Sequence, residues 1–166
     1  MRTVGIVWLL FAVDSSVGLA QDWFFREAII GRSLSSFNDL LRFFTSQPSA
    51  APMYVMMAGA GKGEGAIVSF DPFRTLPVVT LAKNATQGWF LIQTNSDVWL
   101  PDPDGRRVAA DALLKAIGRD AGGMPIGVFA VMSTAPMHGG TAIYVAVMVP
   151  SSGAAYAFGQ EGISPA

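Results

Sequence analysis

The chain has 166 residues, of which 51% are hydrophobic and 14% charged, with a formal net charge of −1. That length is one domain's worth and buries a moderate core. The near-neutral charge and the lack of a basic cluster argue against nucleic acid as a partner, and zero cysteines exclude a disulfide framework, a thiolate metal site and a cysteine nucleophile within these residues.

Ordinary soluble domains carry roughly 25% charged residues, and this chain's mean hydropathy is +0.42. Such greasiness fits either part of a larger core or contact with lipid. The single histidine, His138 in Pro136-Met137-His138-Gly139-Gly140, reads as a turn residue, since one imidazole cannot build a metal site unaided.

At the N-terminus, Met1-Arg2 precedes an apolar run from Val4 to Val13, and Gly18-Leu19-Ala20 resembles a small-residue cleavage site. Residues 1–20 therefore read either as a secretory signal peptide or as a truncated core segment of a larger fold. The run is short of the roughly 20 residues a membrane span needs. Asp22 to Gly31 predicts a short helix, capped by the aspartate and ended by the glycine. Ser35 or Ser36 then caps a second helix, whose Phe37, Leu40, Leu41 and Phe44 recur at i, i+3, i+4 and i+7 and give it one apolar face. Pro48 and Pro52 end it.

A hairpin follows. Met53–Ala58 and Glu64–Phe70 are apolar runs around the turn Gly59-Ala60-Gly61-Lys62-Gly63. That turn is no phosphate loop, because position 56 is Met, Lys62 is followed by Gly63, and a strand rather than a helix comes next. Leu76–Ala82 and Gly88–Thr94 read as further strands, with an N-glycosylation acceptor, Asn84-Ala85-Thr86, on the turn between them. Ala109–Ile117 and Met124–Met132 read as helices, Ala142–Val149 as a buried strand, and Ala154–Phe158 as a final strand. Hairpins and amphipathic helices without a βαβ cadence predict an α+β domain.

The most informative stretch is Gln93-Thr94-Asn95-Ser96-Asp97-Val98-Trp99, followed by Asp104-Gly105-Arg106-Arg107. It resembles the signature of the acid ceramidase and N-acylethanolamine acid amidase family, Q/E-T-N-Y-D-x-W and then D-D-R-R-T. Four further blocks are similar and occur in the same order: Ala51–Gly59, Gly63–Val68, Gly88-Trp89-Phe90, and Val131–Pro136 with Thr141–Tyr144. The resemblance runs from about residue 22 to residue 149, and begins in the middle of the family's catalytic subunit. Residues 21–166 are thus expected to be the C-terminal part of such an amidase domain, recorded as a fragment or a short gene reading.

The resemblance implies the αββα sandwich of N-terminal-nucleophile hydrolases, here only in part. It implies a lysosomal or secreted enzyme that works at acidic pH without a cofactor or metal and cleaves N-acyl lipid amides. A membrane surface, or the missing N-terminal segment or subunit, would be its further partner. Asn95 would supply a fixed hydrogen-bond donor to the oxyanion. Arg106 would organise the polar groups around the nucleophile, and Arg107 would be a structural ion-pair residue. The departures are Gly105, where the family has an aspartate able to orient Arg106; Ser96, where it has a tyrosine; and the absent cysteine, whose thiolate and α-amino group serve as nucleophile and base. The chain alone is therefore expected to be inactive. The alternative expectation is a non-catalytic relic that binds acyl lipids or pairs with another subunit.

Overall fold

The computed structural model describes residues 36–46, 52–71, 73–81, 88–138 and 144–159. The expected leader, the helix at 22–31 and Asn84 lie outside them. The first helix, α1 (Phe37–Ser46), begins where Ser36 caps it. The Ser36 hydroxyl accepts the Asp39 N–H at 3.1 Å and donates to the Asp39 carboxylate at 2.6 Å. One orphan donor of the first turn is thereby satisfied. The predicted apolar face is present, with Phe43 added to it. Phe43 and Phe44 are buried, and Phe37, Leu40 and Leu41 pack beside them.

Helix α1 covers one face of a three-stranded antiparallel sheet in the order β1 (Met53–Ala58), β2 (Gly65–Asp71), β3 (Arg74–Thr80). The pairs Met53–Phe70, Val55–Val68 and Met57–Ala66 lie directly opposite one another, so their side chains share a face. That is the face on which Phe43 and Phe44 pack. Every residue from Gly65 to Phe70 is buried. Both faces of β2 are therefore covered, which explains why it reads as a continuous apolar run rather than an alternation. The third strand starts two residues earlier than expected. Its register with β2 slips by one between Val68 and Phe70, placing Leu76 and Pro77 together opposite Ser69. A proline cannot donate to a ladder and is accommodated at such a bulge on an edge strand.

Gly88–Thr94, expected as a strand, is not one; the segment has no regular secondary structure. Its composition favours a strand, but packing decides otherwise. Phe90 is buried with Ala110, Leu114 and Val131, and Trp89 and Ile92 pack around them. Aromatic burial against helices thus replaces a ladder.

Those helices are α2 (Arg106–Ile117), the short α3 (Arg119–Gly122) and α4 (Pro125–Met132). Helix α2 starts three residues before the expected Ala109. Proline opens α4 at a position where its missing N–H is no loss. Helices α3 and α4 touch backbone to backbone: a Cβ at Gly127 would run into the Ala121 carbonyl, and one at Gly122 into the Trp89 ring. A hairpin of β4 (Tyr144–Val149) and β5 (Ala154–Gly159) comes last among the described residues, with Val145, Val147 and Val149 buried and β4 packed on α4. None of the helices among the described residues is long and apolar enough to cross a membrane.

The α3–α4 contact yields a direct test. Gly127→Ala should destabilise the chain by about 1–3 kcal/mol, the usual range for forcing a group into packed space. The urea midpoint reads this, and an unchanged midpoint would contradict the close approach.

Candidate functional site: a cavity closed by a stapled loop

The segment from Thr94 to Leu100 has no ladder to satisfy its backbone, and two side chains do this instead. Gln93 is 8% exposed, and its amide nitrogen donates to the carbonyls of Thr94 at 2.7 Å and Ser96 at 2.9 Å. Arg107, in the first turn of α2, donates to the carbonyls of Asp97 at 2.9 Å, Leu100 at 2.6 Å and, more weakly, Ser96 at 3.4 Å. A guanidinium's fixed fork of donors suits such convergent carbonyls. Expected to be a structural ion-pair residue, Arg107 instead binds backbone carbonyls among the described residues.

A third tie runs to the sheet. The Tyr54 hydroxyl on β1 donates to the Asp97 carboxylate at 2.8 Å. Burial, then the Asp97 hydrogen bond and its negative charge, push the Tyr54 phenol up to about 12, with the Arg107 charge acting in the opposite direction. The loop is thus pinned from β1, from α2 and from within.

Two aspartates before α2 serve the helix. The Asp102 carboxylate accepts the Val108 N–H at 2.9 Å, and Asp104 accepts the Arg106 N–H at 3.1 Å. Orphan N–H groups at the helix start are satisfied by anions, which the helix dipole also favours. Asp104 additionally holds the Arg106 guanidinium, with Nε at 2.7 Å and Nη2 at 2.5 Å. The carboxylate expected to be lost with Gly105 is therefore supplied by Asp104. Gly105 itself sits at φ 71°, a conformation that glycine adopts without strain. The Arg106 side chain and then its backbone N–H hold Asp104 below the usual carboxylate range. Since the folded value is depressed, the pair's contribution is complete above the unfolded carboxylate range and is lost as pH falls through the lower folded value. Moderately acidic solution leaves it intact.

Between β1–β2 and the helices lies a cavity of about 170 Å³. Met56, Ile67, Phe90, Leu114 and Val128 are among its apolar walls, and Glu64, Gln93, Thr94 and Arg106 supply its polar groups. Apolar walls with a few convergent polar groups form a small-molecule site by chemistry. Of the residues singled out from the sequence, Arg106 lines this cavity. Asn95 does not; it is exposed and directly follows Thr94, which does line it. His138 sits in the turn after α4, its N–H bonded to the Thr134 carbonyl. Sequence reasoning missed Tyr54, Gln93 and Asp97 as site-builders, although Gln93 and Asp97 stand inside the very motif that carried the resemblance. No cluster of metal-binding side chains occurs among the described residues.

Over 131 residues the chain is 30% identical to the N-acylethanolamine-hydrolyzing acid amidase of Caenorhabditis elegans, covering 77% of this chain and 35% of that protein. Over 123 residues it is 27% identical to the acid ceramidase of Balaenoptera acutorostrata scammoni, covering 72% of this chain and 30% of that one. The solved structure of a C. elegans N-acylethanolamine-hydrolyzing acid amidase ortholog superimposes with a TM-score of 0.64 at 25% identity, covering 89% of this chain and 65% of that one. Over most of its length the chain is thus similar to part of the acid amidases and acid ceramidases. Its fold is the α+β architecture of N-terminal-nucleophile hydrolases, in part. It spans roughly a third of the length of these two curated relatives, 35% and 30%. No protein-family model matches it.

The Tyr54–Asp97 tie is testable by titration. The folded phenol value lies above the ordinary 10.0, so its contribution to stability is complete below pH about 10 and is lost as pH rises through about 12. The chain has three tyrosines. Phenolate absorbance should show a late step near pH about 12, and Tyr54→Phe should remove it. A wild-type curve without a late step would refute the tie.

Proposed function

We propose that these residues form the substrate-binding and charge-stabilising part of an amidase that hydrolyses N-acyl lipid amides, of the ceramide or N-acylethanolamine type, to a fatty acid and an amine. The observation that carries this reading is the cavity itself, apolar along its walls and polar where Gln93, Thr94 and Arg106 border it. The apolar part takes the first carbons of an acyl chain, since about 170 Å³ is less than the 300–1,000 Å³ typical for a drug-sized ligand. Arg106, held by Asp104, keeps its charge toward the reacting amide. Asn95, on the pinned loop beside Thr94, is the donor for the developing oxyanion, a role worth about 10²–10³ in kcat in other acyl-transfer enzymes.

These 166 residues hold no cysteine, so in a thiol amidase the attacking group is contributed from outside them. The thiolate adds to the carbonyl carbon, the C–N bond breaks as the amine leaves with a proton, and water cleaves the thioester. An acidic lysosomal or secretory setting suits the Asp104–Arg106 pair, which survives mild acid, and Asn84 is the glycosylation acceptor expected there. The missing cysteine also favours a second reading, a non-catalytic chain of the same fold that binds acyl lipids.

The purified chain should therefore release no fatty acid from an N-acylethanolamine above the rate in buffer. A chimera in which it replaces the matching segment of the C. elegans amidase should hydrolyse such amides, and Asn95→Ala in the chimera should lower kcat by about 10²–10³. A folded chimera without activity would count against the amidase reading and leave the acyl-lipid binder. Asn95→Ala without effect would remove Asn95 from the mechanism.

A further inference from the structure

The Gln93 side chain has work left over after stapling its loop. Both loop hydrogen bonds are made by Nε2, which fixes the orientation of the amide group. Its Oε1 is buried and has no hydrogen-bond partner among the described residues. The residue is 8% exposed and lines the cavity. A buried acceptor left unpaired costs about 1–3 kcal/mol, and in a folded domain such a group calls for an explanation. The neighbouring Thr94 hydroxyl is likewise buried and unpartnered among the described residues, and Thr94 is a lining residue of the same cavity. A polar end that combines a carbonyl-type acceptor with a hydroxyl able to donate matches a ligand that has one N–H and one C=O. That ligand is a secondary amide.

Resting on the acyl-amide reading above, we infer that Gln93 is a specificity-determining residue whose Oε1 accepts the N–H of the substrate amide. An ester or a tertiary amide has no hydrogen to offer it and leaves the acceptor unpaired. A carboxylate brings only acceptors and meets Oε1 with repulsion. Sites built to hydrogen-bond a polar group reject analogues that lack it, because their own buried group is then stranded.

The test compares two probes on the purified chain by calorimetry, N-methylhexanamide and N,N-dimethylhexanamide, which share the acyl chain and carbonyl and differ in the N–H. The wild type should bind the monomethyl amide at least about tenfold tighter, one 1.4 kcal/mol step. Gln93→Met should bring the two affinities to within about twofold. Because that variant also loses the loop staple, a second readout uses the wild type alone. The Gln93 side-chain carbonyl carbon resonance should move on adding the monomethyl amide and stay in place with the dimethyl amide. Equal binding of both probes, with no selective shift, overturns the assignment to Gln93 while leaving the acyl-amide site standing. If neither probe binds at any accessible concentration, both this inference and the site reading beneath it fall.

Discussion

A loop that runs through the protein without a ladder must find partners for its carbonyls elsewhere, and here Gln93 and Arg107 provide them. Their five bonds, to the carbonyls of Thr94, Ser96, Asp97 and Leu100, hold the Thr94–Leu100 segment in one shape. An unpaired buried carbonyl costs about 1–3 kcal/mol, so the segment has strong reason to keep that shape. The arrangement also joins the two parts of the fold. Arg107 belongs to α2, whose Ala110 and Leu114 form the helical core. Asp97 reaches Tyr54 on the sheet. The cavity lies where these parts meet, so its polar end is as well defined as the staple that forms it.

Adjacent arginines at the start of α2 divide the labour. Successive side chains on a helix diverge by about 100°, so Arg106 and Arg107 cannot serve the same partners. Arg107 turns to the loop, and Arg106 turns to Asp104 and the cavity. Asp104 can reach both the backbone and the guanidinium of Arg106 because Gly105 takes a left-handed conformation between them. The motif Asp104-Gly105-Arg106-Arg107 is thus a helix start, a tethered cation and a loop staple compressed into four residues.

The described chain also leaves apolar groups in solvent. Phe73 is 95% exposed, Ile126 66% and Val108 65%, in keeping with the high mean hydropathy. Single exposed apolar residues are ordinary on protein surfaces. Phe73, however, sits at the turn into β3, an edge strand of its sheet, a position where proteins guard against unwanted pairing. Here Pro77 and the bulge opposite Ser69 do the guarding.

Periodicity and punctuation alone determined much of the fold. The apolar spacing of α1 with its serine cap, the glycine turn between β1 and β2, the proline start of α4 and the β4–β5 hairpin are all local signals, each readable within a few residues. The ordered motif blocks also pointed to the relatives that the chain resembles. Contacts distant in sequence decided the rest. The segment Gly88–Thr94 has strand composition, yet burial of Phe90 against α2 and α4 left it without a ladder. Tyr54 and Asp97 lie 43 positions apart, and no local pattern announces their meeting. Gln93 looked like one letter of a motif until the fold turned its nitrogen onto the loop and left its oxygen buried without a partner among the described residues. Local propensity acts over a helical turn or a pleat, whereas hydrogen-bond satisfaction is decided only when the whole chain has closed around each polar group.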